Sequence, residues 1–510
     1  MKAALAYTAL AAEVATVLGQ KVVHYPFHKV QDYSGNGRLS KRATNPIGVT
    51  ITNAQTLYFV NATVGTPAQQ LEMQLDTGSS DVWMSDSSAS YCQGTQGAEQ
   101  CQGGTFTPGQ SSTYKALNTI FNITYVDGTG STGNYFTDNF GIGGVTLDAL
   151  EMGLATKTTI GTGIIGVGYA ADEAVCNTEG PCPTYPSIID NMVSQGKINT
   201  HAYSLWLDDV QAQTGSILFG GVDSAKYHAP LITLPVEQDQ YSGSYTSFSV
   251  AFTGFTITKN GAVQTGFTSS GYTQQAILDS GTSLTLMPDA LFTQLQQQVG
   301  ATYSQEVGIY IADCSVAAVN ATFDFSFGGT SGPIIHVPIN EFVVPLINEN
   351  GQAATFQNGK AACEFGMQPA DGDPVLFGDT FLRSAYVVYD LDNNLISMAN
   401  TNFNATGSNV QAISSGTNGV PGATQTATGG LGGATYTSNP FLGGSQSTAT
   451  GNVGSSAVPT GALLTQGGSG ASASATATSG NGEKSAGEQL APAGIMSVLS
   501  AAFLAMAAML

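Results

Sequence analysis

The tetrapeptide Asp76-Thr77-Gly78-Ser79 recurs in the second half of the chain as Asp279-Ser280-Gly281-Thr282. Each copy sits between short apolar runs, 71–75 and 81–84 around the first, 276–278 and 284–287 around the second. A short β-run, a tight glycine turn and a second β-run would hold one carboxylate at each loop tip. One such turn is commonplace, because Asp-Thr-Gly and Asp-Ser-Gly are ordinary Asx-turn sequences. Two copies with matched flanks imply two related lobes that meet at their loops. Two carboxylates brought together do not both ionise readily, so a pair of this kind shares a proton and holds an acid and a base at once. Such a pair activates water against an amide.

The neighbouring residues fit that chemistry. Gly78 and Gly281 lack a Cβ, so backbone N–H groups can approach each carboxylate closely. Thr77 and Ser280 carry hydroxyls able to tie one loop to the other. Ser79 and Thr282, each three residues after its Asp, are placed to donate to the outer carboxylate oxygens. A second repeat backs the first: Ile164-Ile165-Gly166 and Leu376-Phe377-Gly378 follow their Asp loops at nearly the same distance. Alone, each is merely a buried strand end; together they indicate duplicated halves of domain size.

Charged residues make up only 10% of the chain. Val, Ile, Phe and Tyr cluster in short runs separated by Gly, Ser and Thr, the pattern of an all-β protein. Helical periodicity is clearest over 186–195 and 289–299, the second opening on Pro288-Asp289 as a start signal. Between residues 43 and 480, seven basic residues face 31 acidic ones, a net charge of −24. Such a body repels nucleic acid. It also repels itself at neutral pH, which points to an acidic working environment. The five His are scattered and no His/Cys cluster has metal-ligand spacing, so neither a metal nor a cofactor is expected.

From about residue 55 to 403 the chain resembles the pepsin family of aspartic endopeptidases. The segments that carry the resemblance run in that family's order: 59–67, Asp76-Thr-Gly-Ser-Ser-Asp-Val-Trp83, Ile123-Thr-Tyr125, Gly163-Ile-Ile-Gly166, 215–223, 279–283 and 375–383. The resemblance implies a bilobal fold, two duplicated β-lobes flanking an active-site cleft, with lobes at 43–228 and 229–404. It implies that Asp76 and Asp279 bind and activate the lytic water. It also implies a hairpin flap carrying Tyr125, with Trp83 as hydrogen-bonding partner behind it, and Asp127 and Thr282 facing substrate. Tyr125 is followed by Val126 where many relatives have Gly; Asp127 stands where fungal relatives often carry an acidic residue facing the first specificity pocket. Protein and peptide substrates follow, with apolar and basic residues accepted at the cut, and a monomeric enzyme.

The ends of the chain read as processing signals. Residues 1–19 resemble a secretory signal, with Glu13 as a departure inside the apolar run. Residues 20–42 are basic and aromatic and end at Lys41-Arg42, like a propeptide that inhibits an acidic cleft until dibasic cleavage. Six cysteines behind a signal predict three disulfides. Their spacing suggests Cys92–Cys101, Cys176–Cys182 and Cys314–Cys363, of which the first and last resemble family disulfides. Sequons stand at Asn61, Asn122, Asn320 and Asn404. Residues 405–489 are rich in Gly, Ser, Thr and Ala and predict a flexible stalk. Small residues around Gly480 and Asn481, a polar spacer and the apolar tail 490–510 have the order of a GPI-attachment signal, with Gly480 or Asn481 as the attachment residue. Together these features resemble the GPI-anchored, yapsin-like aspartic proteases of fungal cell surfaces, which implies a plasma-membrane or cell-wall location, or a released secreted form.

Two other classes compete. A binding protein of the cell wall with this fold and no catalysis would be expected to lose an Asp or the flap Tyr, and this chain keeps all three. A glycosidase also uses two carboxylates, but it needs no duplicated Asp loops, and two Trp are a poor sugar-stacking complement.

Overall fold

The computed structural model describes residues 21–32, 51–52 and 55–427, apart from 94–99, 178–181, 213, 240–241, 306–307, 349–352 and 357. The fold is nearly all β. The expected signal at 1–19, the expected dibasic site Lys41-Arg42, the expected GPI-attachment residues Gly480 and Asn481 and the apolar tail 490–510 lie outside the described residues.

The two halves repeat one local topology. In the first, strand Gln69–Asp76 runs parallel to Gly163–Gly166, with Leu75 opposite Ile165, while Val82–Ser85 returns antiparallel on the other side. In the second, Gln274–Leu278 runs parallel to Leu376–Phe377, and Thr285–Met287 returns antiparallel. Both apolar-apolar-Gly repeats are therefore strands that lie between the two arms of an Asp loop. Their glycines are needed for close backbone approach. A Cβ on Gly166 would lie 2.7 Å from the Asp81 nitrogen, and one on Gly378 would lie 2.2 Å from the Thr282 carbonyl oxygen.

The first lobe and the base of both lobes share a 14-stranded sheet; the second lobe has an eight-stranded sheet of its own. At the base, Ala202–Trp206 pairs with Ala385–Asp390, which joins the lobes through backbone hydrogen bonds. One face of this base carries Tyr203, Leu205, Val387 and Tyr389 into the main core, and alternate residues Ala202, Trp206, Tyr386 and Val388 form a second apolar cluster on the other face. The two expected helices form. Ile188–Ser194 starts at a Ser187 capping box closed by Asp190, and Asp289–Val299 ends at Gly300 in the left-handed region.

Two segments are paired into sheets where the sequence pattern predicts a leader and a stalk. Val23–Asp32, within the expected 20–42 leader, is a strand of the large sheet, inserted between Thr214–Phe219 and Gln55–Val64. It buries Val23, Phe27 and Lys29. The expected stalk boundary at 405 also shifts. Val410–Ala412 pairs with Gly221–Asp223, and Ala423–Thr426 adds a parallel edge strand to Tyr227–Pro235. Ile413, Val420 and Ala427 are buried, the first two on the second apolar cluster with Trp206, Tyr227 and Tyr386. Few side chains in this stretch are large, and backbone pairing with a sheet edge orders it without a core of its own.

Candidate active site

Each Asp loop organises its own carboxylate. Asp76 Oδ1 accepts from the Gly78 N–H at 2.9 Å and Oδ2 from the Ser79 hydroxyl at 2.5 Å. Asp279 Oδ1 accepts from the Gly281 N–H at 2.7 Å and Oδ2 from the Thr282 hydroxyl at 2.5 Å. The two sets are the same interactions on duplicated loops, and both side chains are over nine-tenths buried. The carboxylates converge on Gly78: its N–H binds Asp76, and a Cβ at this position would lie 2.4 Å from Asp279 Oδ1. No side chain other than hydrogen fits there.

The loops interlock through the expected hydroxyls. Thr77 Oγ1 donates to the Leu278 carbonyl at 3.0 Å and accepts from the Ser280 N–H at 2.9 Å. Reciprocally, Ser280 Oγ donates to the Leu75 carbonyl and accepts from the Thr77 N–H, both at 3.2 Å. Gln74, which the sequence pattern does not single out, adds a cross-lobe bond from its Nε2 to the Gly281 carbonyl at 3.2 Å. Buried hydrogen bonds in a low-dielectric interior are costly to leave unmade, so this lattice fixes the distance between the lobes at the carboxylates.

The hairpin Lys115–Thr124 and Gly130–Ile142 carries the predicted flap residues at its tip. Its turn closes with Tyr125 N–H to Thr129 carbonyl, and Gly128 takes the positive φ that the turn requires. Trp83 Nε1 donates to the Tyr125 hydroxyl at 2.7 Å, the pairing expected from the sequence. Asp127 Oδ1 caps the same turn, accepting from the Thr129 N–H at 2.9 Å and its hydroxyl at 2.7 Å. Val126 is exposed beside it.

Two carboxyls near this centre are shifted toward the protonated form by their surroundings. Asp172, in the turn after Tyr169, is pushed well above the usual carboxylate range by burial and by the charges of Asp81, Asp76 and Asp279. Asp379 follows Gly378 directly and is raised in the same way, with Arg383 and Lys29 opposing. Beneath it the buried Arg383 Nε donates to Glu341 Oε2 at 2.6 Å. Lys29 from strand Val23–Asp32 reaches the same region. Its amine donates to the Val210 carbonyl and is lowered to about 8 by burial and by Arg383.

All three cysteine pairs are joined as the spacing suggests: Cys92–Cys101, Cys176–Cys182 and Cys314–Cys363. Asn61, Asn122, Asn320 and Asn404 are all exposed; Asn404 donates to Asp209 Oδ2 at 2.7 Å. Among the described residues no group of three or more His, Cys, Asp or Glu is arranged to hold a metal ion.

The family model for eukaryotic aspartyl proteases matches residues 57–401. A probable aspartic-type endopeptidase opsB of Aspergillus fumigatus is 41% identical over 78% of this chain and 79% of its own length. Candidapepsin-3 of Candida albicans is 36% identical over 73% of this chain and 86% of its own. The crystal structure of an aspartic proteinase from Irpex lacteus superimposes with a TM-score of 0.55 over 76% of this chain and all of its own, at 22% identity, a likeness of fold. The duplicated loops, the interlocked carboxylates and the flap thus belong to a known architecture, and the chain is a member of the eukaryotic aspartyl protease family.

Proposed function

We propose that Asp76 and Asp279 are the catalytic pair of an endopeptidase that cleaves proteins and peptides at acid pH. The observation that carries this reading is the matched anchoring of the two carboxylates on interlocked loops. In the working state one carboxylate is ionised and its partner protonated. The ionised group takes a proton from a water held between them as the water oxygen attacks the scissile carbonyl carbon. The protonated partner donates to the carbonyl oxygen, which becomes a hydroxyl of a tetrahedral gem-diol. Collapse of that intermediate breaks the C–N bond, and the nitrogen leaves with a proton from the pair. Gly78, Gly281, Ser79 and Thr282 hold the carboxylates, and Thr77 and Ser280 hold the loops, so little reorganisation accompanies the reaction.

Tyr125, positioned by Trp83, closes over the substrate. Asp127 has Oδ1 committed to Thr129; its other oxygen, which has no hydrogen bond among the described residues, is offered to a basic side chain before the cut. Residues 20–42 are a leader removed at Lys41-Arg42, the sequons at Asn61, Asn122, Asn320 and Asn404 are glycan acceptors, and a GPI anchor holds the monomeric enzyme at the cell surface through a stalk that starts beyond residue 427. The order of these signals along the chain supports the reading. Casein hydrolysis at acid pH, with and without the transition-state-like inhibitor pepstatin, tests the function. Pepstatin-sensitive hydrolysis with a bell-shaped acid profile is expected; hydrolysis confined to neutral pH or insensitive to pepstatin would refute it.

A further inference from the structure

Behind the flap lies a buried polar cluster that the chemistry above does not use. Asp81, two residues before Trp83, is fully buried. Its Oδ1 accepts from two tyrosine hydroxyls, Tyr135 at 2.6 Å and Tyr185 at 2.7 Å, and its Oδ2 accepts from the Ala174 N–H at 2.7 Å. Tyr135 belongs to the flap hairpin. Tyr185 and Ala174 bracket the loop closed by the Cys176–Cys182 disulfide. One carboxylate therefore ties that loop to the flap.

The packing continues the connection. Gly153 is the register partner of both Trp83 and Tyr135, so the three form a row across neighbouring strands. A Cβ on Gly153 would lie 2.7 Å from the Phe121 ring, which fills the space over it. Phe121 is on the first flap strand. Its ring lies 6.0 Å from Trp83 and 5.4 Å from Tyr135, and Tyr135 packs edge-on against Tyr185 at 5.3 Å. Ala174 and Val175 join Trp83, Phe121, Ile123 and Tyr185 in the same apolar cluster, with Tyr125 at its margin. An unbroken row of rings thus runs from Tyr185, three residues past the disulfide, to the indole that holds the flap tyrosine.

We propose that the described residues Ala174, Val175 and Tyr185, on either side of the Cys176–Cys182 disulfide, brace the flap, and that Asp81, Tyr135 and Tyr185 are positioning residues that act on Tyr125 through Phe121 and Trp83. The proposal rests on the peptidase reading, in which flap placement governs turnover. A buried carboxylate with three donors specifies one arrangement of those donors, because any other leaves a buried group unpaired. The ring row then transmits the placement, since close-packed aromatic neighbours do not yield independently.

The test compares Tyr185→Phe and Asp81→Asn with their Trp206→Phe parent. Tyr185→Phe removes one donor and keeps the ring. Asp81→Asn keeps an acceptor for the tyrosines and turns a donor toward the Ala174 N–H. Both are made with Trp206→Phe, which leaves Trp83 as the single tryptophan. The brace predicts a changed Trp83 emission and a kcat/KM lower by about two- to thirtyfold, the range that packed side-chain networks carry. Ile335→Val, in the other lobe's core, serves as a control chosen for a small loss of Tm and should leave both readouts unchanged. A lowered Tm with unaltered emission and kcat/KM would overturn the proposal and leave Asp81 as a core contact. Should Tyr185→Phe not fold, Asp81→Asn carries the same test. The emission readout needs no turnover, so failure of the brace and failure of the peptidase reading give different results.

Discussion

Glu173 supplies a sharp electrostatic prediction. Its side chain is fully buried, its Oε2 accepts from the Tyr185 N–H at 2.9 Å, and its Oε1 meets no hydrogen-bond partner among the described residues. Burial pushes its carboxyl up from 4.5 to about 9, with repulsion from Asp81, Asp190 and Glu151 adding to the rise and the Tyr185 N–H opposing it. The unfolded chain releases this proton near pH 4.5; the folded chain keeps it to about pH 9. Between those values the folded state binds more protons, so stability falls as pH rises, by up to about 1.4 kcal/mol per pH unit. At pH 4 the cost is near zero, and at pH 7 it reaches about 3 kcal/mol on the same scale. Glu173→Gln keeps the shape and removes the titration. With an unfolding entropy scaled to about 370 ordered residues, it should raise Tm by about 3–5 °C at pH 7 and leave it unchanged at pH 4. Differential scanning calorimetry at the two pH values reads the effect directly. An equal Tm difference at both pH values, or a less stable variant at pH 7, would refute the reasoning. His201 acts with the same sign: Asp190 and Asp392 raise it to about 9, so its contribution is complete below pH 6.5 and is lost as pH rises through 9.

Three further outcomes follow from particular contacts. Asp127→Ser should lower the Lys-to-Leu ratio of kcat/KM before the cut by about tenfold, the scale of a charge-assisted bond; an unchanged ratio would confine Asp127 to its Thr129 cap. N-terminal sequencing of the active enzyme should begin at Ala43, and recovery of Gln20 would refute removal of the leader. A chain ended at residue 404 should lose several degrees of Tm because Ile413 and Val420 leave their cluster, at about 1.5–3 kcal/mol for each buried side chain, whereas a chain ended at 427 should match the full protein.

The site was legible because its information is local. Each Asp, its glycine and its hydroxyl partner stand within four residues, so the Asp76 and Asp279 hydrogen bonds could be read from spacing. The same holds for the two helices, whereas the Ser187 cap on the first came only from the structure. What escaped is long-range pairing. Val23, Phe27 and Lys29 alternate as a strand should, but basic residues and Lys41-Arg42 make the segment read as leader, and only its partners Thr214–Phe219 and Gln55–Val64 reveal a sheet position. Val410–Ala412 and Ala423–Thr426 are ordered by sheet edges that composition does not show. Asp81 lies inside a legible motif, yet its partners Tyr135 and Tyr185 are distant in sequence, and no local pattern links the three.

The most direct test is the activity of Asp76→Asn and Asp279→Asn, each made alone and shown by circular dichroism and Tm to be folded. Because the pair acts as one unit, each substitution should reduce peptidase kcat by orders of magnitude. A folded single variant that retains near wild-type activity would contradict the assignment of these two carboxylates as the catalytic pair.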